Sequence, residues 1–232
     1  KISKYPTSNL QLSGDIQFGE SNPLEFIKET SIRASENAKM YTFSLRFNYV
    51  EVDTELQTRD TLFVDWSFSP KTATELQLNG SVLNTTIDFN LNVNDFYKYL
   101  ASSISTPNSS VFRYPVGIYF QGNEGGQNPG IKFTCIDLYF EALNLDLYSY
   151  IISSSDPGLV ENRPIFSNIS DGAGLFASKS THNVFSLKFD NNSSDSLSFG
   201  RFTKDLNFLY FRELGQGITA YDSNGNIVNY IE

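Results

Sequence analysis

Between residues 41 and 49 the chain alternates without a slip. Tyr41, Phe43, Leu45, Phe47 and Tyr49 take one phase, and Thr42, Ser44, Arg46 and Asn48 take the other. Side chains of a strand point to opposite faces in turn, so this pattern predicts a strand with one face in an aromatic core and a polar outer face. The same period returns in Leu62, Val64, Trp66 and Phe68, closed by Pro70, and again in Ile87, Phe89, Leu91 and Val93. Twenty Phe and 13 Tyr suit such half-buried pleated surfaces.

Shorter strands are expected at 15–19, 116–120, 131–140, 164–168, 174–178, 184–189, 206–212 and 218–221. The Asn224-Gly225 pair predicts a type I′ hairpin leading into a return strand at 227–231. Alternation breaks at 95–103, where Asn94 as N-cap and Asp95 in the first turn predict a short helix. Residues 145–152 fit either a second helix, echoing 95–100, or a hairpin's return strand, and are read as strand. Residues 23–37 carry only a weak helical period. The expected fold is all-β, an antiparallel β-sandwich or barrel-like sandwich with one or two short helices. Polar residues 1–14, with Pro6 and Gly14, read as an extended N-terminal arm; 15–232, uncut by any linker, read as a single β domain.

Composition removes several classes of function. A hydrophobic content of 40% excludes a disordered chain. No apolar run approaches the roughly 18 residues of a membrane-spanning helix. A net charge of −9 argues against nucleic acid as a partner, since phosphates call for clustered Lys and Arg. The single cysteine, Cys135, excludes an internal disulfide, a Cys-based zinc site and an iron–sulfur cluster. Lying inside a predicted strand, it reads as a buried thiol. Any imidazole chemistry must run through the only histidine, His182, in a polar segment between strands with no G-x-S-x-G motif anywhere.

Neither 222–226 nor 190–195 completes a calcium loop, so no metal and no cofactor is expected. Paired carboxylates are the enzymatic chemistry left open, with Glu124, in the Gly-rich loop 122–130, and Glu141 as candidates. The other candidate chemistry is ring stacking on a glycan, for which Trp66, Tyr114, Tyr119 and Tyr148 are the aromatic candidates, with Glu124 beside them as a polar contact. Lys1 opens on a polar stretch with no basic and then apolar leader. Two readings fit, a cytosolic protein or a mature chain whose leader has been removed.

One stretch is more particular. Residues 161–179, ENRPIFSNISDGAGLFASK, resemble the R-P-x-[FY]-[ST]-N-I-x-x-G-x-G-[IL]-F signature of uncharacterised Bacteroidetes lipoproteins, a domain family of unknown function. Lys179 stands where Arg is expected. Shorter similarities lie at Tyr41-x-Phe43-x-Leu45-Arg46-Phe47-x-Tyr49-x-Glu51, Asp65-Trp66, Phe96-Tyr97-x-Tyr99-Leu100 and Thr203-Lys204-Asp205-Leu206-Asn207-Phe208. The signature reads as turn and core: Gly172 and Gly174 for a tight turn, Asn168 bonding its own backbone, Ile169 and Phe176 buried. It supplies no catalytic residue. What the resemblance implies is place: an exported lipoprotein of the outer membrane, cell surface or periplasm, attached only through a lipidated Cys ahead of Lys1. The expected function is a non-enzymatic binding or interaction module whose partner is a protein or a glycan at the cell surface. The alternatives are a structural subunit of a fimbria or surface layer and a carboxylate-dependent polysaccharide hydrolase.

Overall fold

The computed structural model describes residues 9–11, 30–33, 38–72, 86–89, 93–121, 130–155, 168–169, 175–214 and 217–228. Its spine is β3, Met40–Asp53, the strand announced by the long alternation. Along one side β3 pairs with β4, Thr58–Ser67, through a hairpin, and then with the short β5, Lys71–Thr72. Along the other it pairs first with β9, Gly130–Leu143, over Met40–Phe47, and then with β7, Val111–Pro115, over Tyr49–Asp53. Outside β9 lies β10, Lys179–Asp190, and β8, Tyr119–Gln121, also pairs with β9.

Among the described residues, two smaller sheets hold the remaining strands. One runs β1-β2-β6 (Asn9–Gln11, Thr30–Arg33, Thr86–Phe89) and the other β11-β12-β13 (Tyr210–Leu214, Gly217–Tyr221, Ile227–Val228). Among the described residues there are three short α-helices: α1, Val93–Ser103; α2, Leu145–Ser155; α3, Asn191–Phe199. The protein is all-β, built of antiparallel sheets that do not close into a barrel. Residues 9–11 of the expected arm form one strand of the first small sheet.

The core lies on the inner face of β3, where Tyr41, Phe43, Leu45, Phe47 and Tyr49 are all buried. The Phe47 ring sits 5.8–6.0 Å from the rings of Tyr49, Phe96, Phe189 and Phe208. Helix α1 lays Phe96, Tyr97 and Leu100 onto this face, the i and i+4 positions falling on one side of the helix. Trp66 and Phe68, inward-facing on and just beyond β4, extend the aromatic layer by contact with Phe96 and Phe43.

Several expectations need correction. Residues 145–152 are helical, because Asn144 caps them: its Oδ1 accepts from Leu147 N at 3.0 Å, and its carbonyl from Tyr148 N. The echo of 95–100 therefore reported a second helix. Helix α1 itself begins at Val93, one residue before the expected cap. Within 23–37, residues 30–33 are strand. Residues 175–178 are coil, and the strand starts at Lys179. The first part of 206–212 closes a 3₁₀ turn, Lys204–Leu206. The expected strand at 116–120 is interrupted at Gly117 (φ +72°), where a Cβ would lie 1.9 Å from Thr134 Oγ1, so only glycine fits. His182 lies in β10, paired opposite Phe140. Ile169 and Phe176 are exposed. The expected strand at 15–19, that at 164–168 except for Asn168, which is coil, and the end of 227–231 lie outside the described residues.

The last hairpin differs as well. In 222–226 only Gly225 has a positive φ, and Gly225 N donates to Asp222 O at 3.0 Å. This is a type I turn followed by a left-handed glycine, the three-residue alternative to type I′. Asp222 organises it by accepting from Asn224 N, Asn226 N and Asn226 Nδ2 at 2.8–2.9 Å. Burial opposes ionisation of Asp222, but these hydrogen bonds outweigh it and lower its pKa. The stabilisation is therefore fully present above the unfolded carboxyl value of about 3.9 and is lost as pH falls through the lower folded value. Protection of the Asn224 and Asn226 amides, exchange taken relative to the intrinsic rate at each pH, is expected to fall in that acid window and to stay level from there to neutrality. Protection that stays level through the window would contradict the role of Asp222.

Candidate ligand-binding face

The outward phase of β3 is the floor of the candidate site. Thr42, Ser44, Arg46 and Asn48 lie opposite Ser67, Asp65 and Phe63 of β4 and opposite Glu141, Tyr139 and Asp137 of β9. In β10, Asn183 pairs with Tyr139 and extends the same face. Three large aromatic rings thus stand at positions where strand alternation calls for polar residues: Phe63, Tyr139 and Phe185. Phe63 is 55% exposed and Phe185 58%.

Arg46 joins them. Its Nε donates to Asp65 Oδ1 at 2.7 Å and its Nη2 to Oδ2 at 2.8 Å, a fork-to-fork pair. Its guanidinium carbon lies 3.9 Å from the Phe63 ring centre and 5.2 Å from that of Tyr139. The hydrogen bond from Arg46 to Asp65 raises the arginine's pKa further, so the group is charged and fixed. Tyr139 meets Phe185 edge-on at 5.9 Å. The stripe Phe63–Arg46–Tyr139–Phe185 therefore crosses four strands, about 14 Å at the usual strand spacing.

Phe185 reaches this stripe through a bulge. Val184 pairs with Leu138 and Leu187 with Ile136, so Phe185 and Ser186 together face the single residue Asp137. Ser186 is left-handed, with φ +59°, a conformation that costs a non-glycine residue about 1 kcal/mol or more. Asp137 holds it there, accepting from Ser186 N at 2.8 Å through Oδ1 and from Asn48 Nδ2 at 2.8 Å through Oδ2.

Beside the stripe runs a shallow trough of about 560 Å³, lined by Thr42, Ser44, Ser67, Pro70 and Glu141 as well as Arg46, Asp65 and Tyr139. At its far end Lys179 Nζ lies 2.5 Å from Glu141 Oε1. Asp65, Asp137 and Glu141 thus all accept hydrogen bonds, from Arg46, from Asn48 and Ser186 N, and from Lys179. A second hollow of about 790 Å³ lies between the β3–β4 turn and the 222–226 turn. Its carboxylates serve their own turns: Asp53 Oδ1 accepts from Glu55 N and Leu56 N, and Asp222 is occupied as described above.

Of the residues expected from sequence, Glu141 lines the trough, and the ring candidates lie elsewhere. Trp66 is half-buried, stacked with Tyr99 at 5.9 Å on the inner side. Tyr114 is buried, its ring against Phe211. Tyr119 is half-buried at the start of β8, and Tyr148 half-buried on α2. Glu124 lies outside the described residues, as do the side chains of His182 and Asp190. Asp195 is held by Arg212 through two bonds of 2.8 Å. Cys135 is fully buried, and burial pushes its thiol well above the ordinary value. Among the described residues, no three His, Cys, Asp or Glu side chains gather as a metal site would require.

Phe63 and Tyr139 are marked in the sequence as aromatic residues out of phase with an apolar run, whereas Phe185 shares the phase of Leu187 and Phe189 and only the bulge turns it outward. Compared with protein-family models, with curated proteins and with solved structures, the chain matches none.

Proposed function

We propose that this protein is a non-enzymatic binding module, exported to the periplasm or cell surface, that holds its ligand on the outer face of the β10-β9-β3-β4 sheet. The observation that carries the reading is the exposed stripe Phe63–Arg46–Tyr139–Phe185. Core packing does not require these rings to face outward, and the left-handed Ser186 is maintained where the last of them is aimed. Backbone strain and bulges concentrate at functional sites for this reason.

The export half of the reading rests on the similarity of 161–179 to Bacteroidetes lipoproteins, with a lipid anchor as the attachment. Two of that signature's residues act as a clasp: Asn168 Nδ2 donates to Phe176 O at 2.6 Å, and Phe176 N donates to Asn168 Oδ1 at 2.7 Å. The side chain stands in for a strand partner and joins positions eight apart in the sequence. Sheet edges speak for a binding module over a polymer subunit, since β4 carries Arg59, Asp60 and Asp65 and β10 is bulged, both devices that discourage strand addition.

The test compares the protein with a Phe63→Ser/Phe185→Ser double variant on arrayed polysaccharides and on outer-membrane extracts. The wild type is expected to retain a ligand that the variant loses at an unchanged thermal midpoint. Equal retention by both, or no retention by the wild type, would refute the reading.

A further inference from the structure

We infer that the outer sheet face takes an uncharged, unbranched oligosaccharide laid across the strands. The inference rests on the reading of that face as the binding surface, and it names the chemical class of the ligand.

Charge is the first argument. The chain carries −9 overall, yet on this face Arg46 is balanced by Asp65 and Lys179 by Glu141, and Asp137, held by Asn48 and Ser186 N, adds one negative charge. A polyanion would have to displace Asp65 from a two-bond contact, and a polycation would meet Arg46. Both are disfavoured, and a neutral ligand is not.

Chemical texture is the second. A pyranose ring offers a flat C–H face and a rim of hydroxyls. The site offers flat rings at Phe63, Tyr139 and Phe185, and, between and beside them, the hydroxyls of Thr42, Ser44 and Ser67 with carboxylate lone pairs of Asp65 and Glu141. Protein interfaces concentrate their binding in a desolvated centre poor in charge. Here two ion pairs and Asp137 lie among the rings, where burial under a protein would cost desolvation of each.

Dimension and rigidity complete the case. A stripe of about 14 Å exceeds a single sugar and suits a short chain. The rings are fixed before any ligand arrives, Phe63 and Tyr139 by the clamped guanidinium and Phe185 by the Ser186 bulge, which lowers the ordering cost of binding.

Titration calorimetry on the full chain with cello-, xylo- and manno-oligosaccharides, from monosaccharide to hexasaccharide, and with oligogalacturonate tests this. At least one neutral series should bind, gain affinity with length up to about the trisaccharide, and be insensitive to added salt. Phe63→Ser and Phe185→Ser should each weaken that binding about tenfold without moving the thermal midpoint. Binding to no neutral series, a preference for oligogalacturonate, or full affinity in both variants would overturn the inference. If sugars fail but the double variant loses a partner from outer-membrane extracts, the ligand class is wrong and the binding face stands; if the variant loses nothing, both fall.

Discussion

Arg113→Met is expected to destabilise the protein by about 3–5 kcal/mol, the penalty typical of breaking a buried charge pair by removing one partner. Arg113 is 3% exposed on β7. Its Nε donates to Glu51 Oε2 on β3 at 2.8 Å, and its Nη1 to the carbonyls of Ser105 and Leu206 at 3.0 Å each. One guanidinium therefore ties the central strand, the chain leaving α1 and the 3₁₀ turn together. Its own backbone adds bonds to Asn207 and Leu209. Methionine fills the space but takes the side-chain donor from the buried Leu206 carbonyl and the half-buried Ser105 carbonyl, and leaves Glu51 without its cation. Lysine keeps the charge and loses the planar fork, so Arg113→Lys should fall between. Urea unfolding ranks the three, and a methionine variant as stable as wild type would contradict the latch.

Phe47→Ala should cost a similar 3–5 kcal/mol, through lost transfer energy plus the cavity left among four rings. At this chain length that lowers the melting temperature by on the order of 10 °C. Phe185→Ser, a change of the same kind at an exposed ring, should stay within about 0.5 kcal/mol. The two rings lie in neighbouring regions of one sheet, so the contrast is set by the face each points to. Comparable losses for both would mean that the outer rings belong to the core and would remove the basis for the binding face.

The inner face of β3 was readable from sequence because period two is a local property, and every residue of the odd phase from Tyr41 to Tyr49 is buried. What sequence reasoning could not supply was register between strands. Arg46 meets Asp65 only because β3 and β4 pair at Phe47↔Val64 and onward, and Tyr139 meets Phe185 only because β10 carries an extra residue opposite Asp137. A compensating irregularity follows between Leu187 and Phe189, where β9 supplies the extra residue. It shifts β9 by one phase, so the alternating buried positions are odd at Ile131, Phe133 and Cys135 and even from Ile136 to Ala142.

Aromatic residues in phase with buried runs are claimed by the core, as Trp66 and Tyr114 are. Helix α2 was missed for a different reason. Its apolar residues Leu145, Leu147, Tyr148 and Ile151 suit a strand nearly as well as a helix, and the cap at Asn144 decides between them.

The claim that most of this account depends on is that the ligand meets the polar phase of the central sheet. Backbone amide shift mapping, with the protein titrated by the neutral oligosaccharide or outer-membrane partner it retains, tests it most directly. The account predicts perturbations confined to residues 42–48, 63–67, 137–141 and 181–186. Shifts centred on the turns at 54–57 and 222–226, with those strands silent, would contradict it.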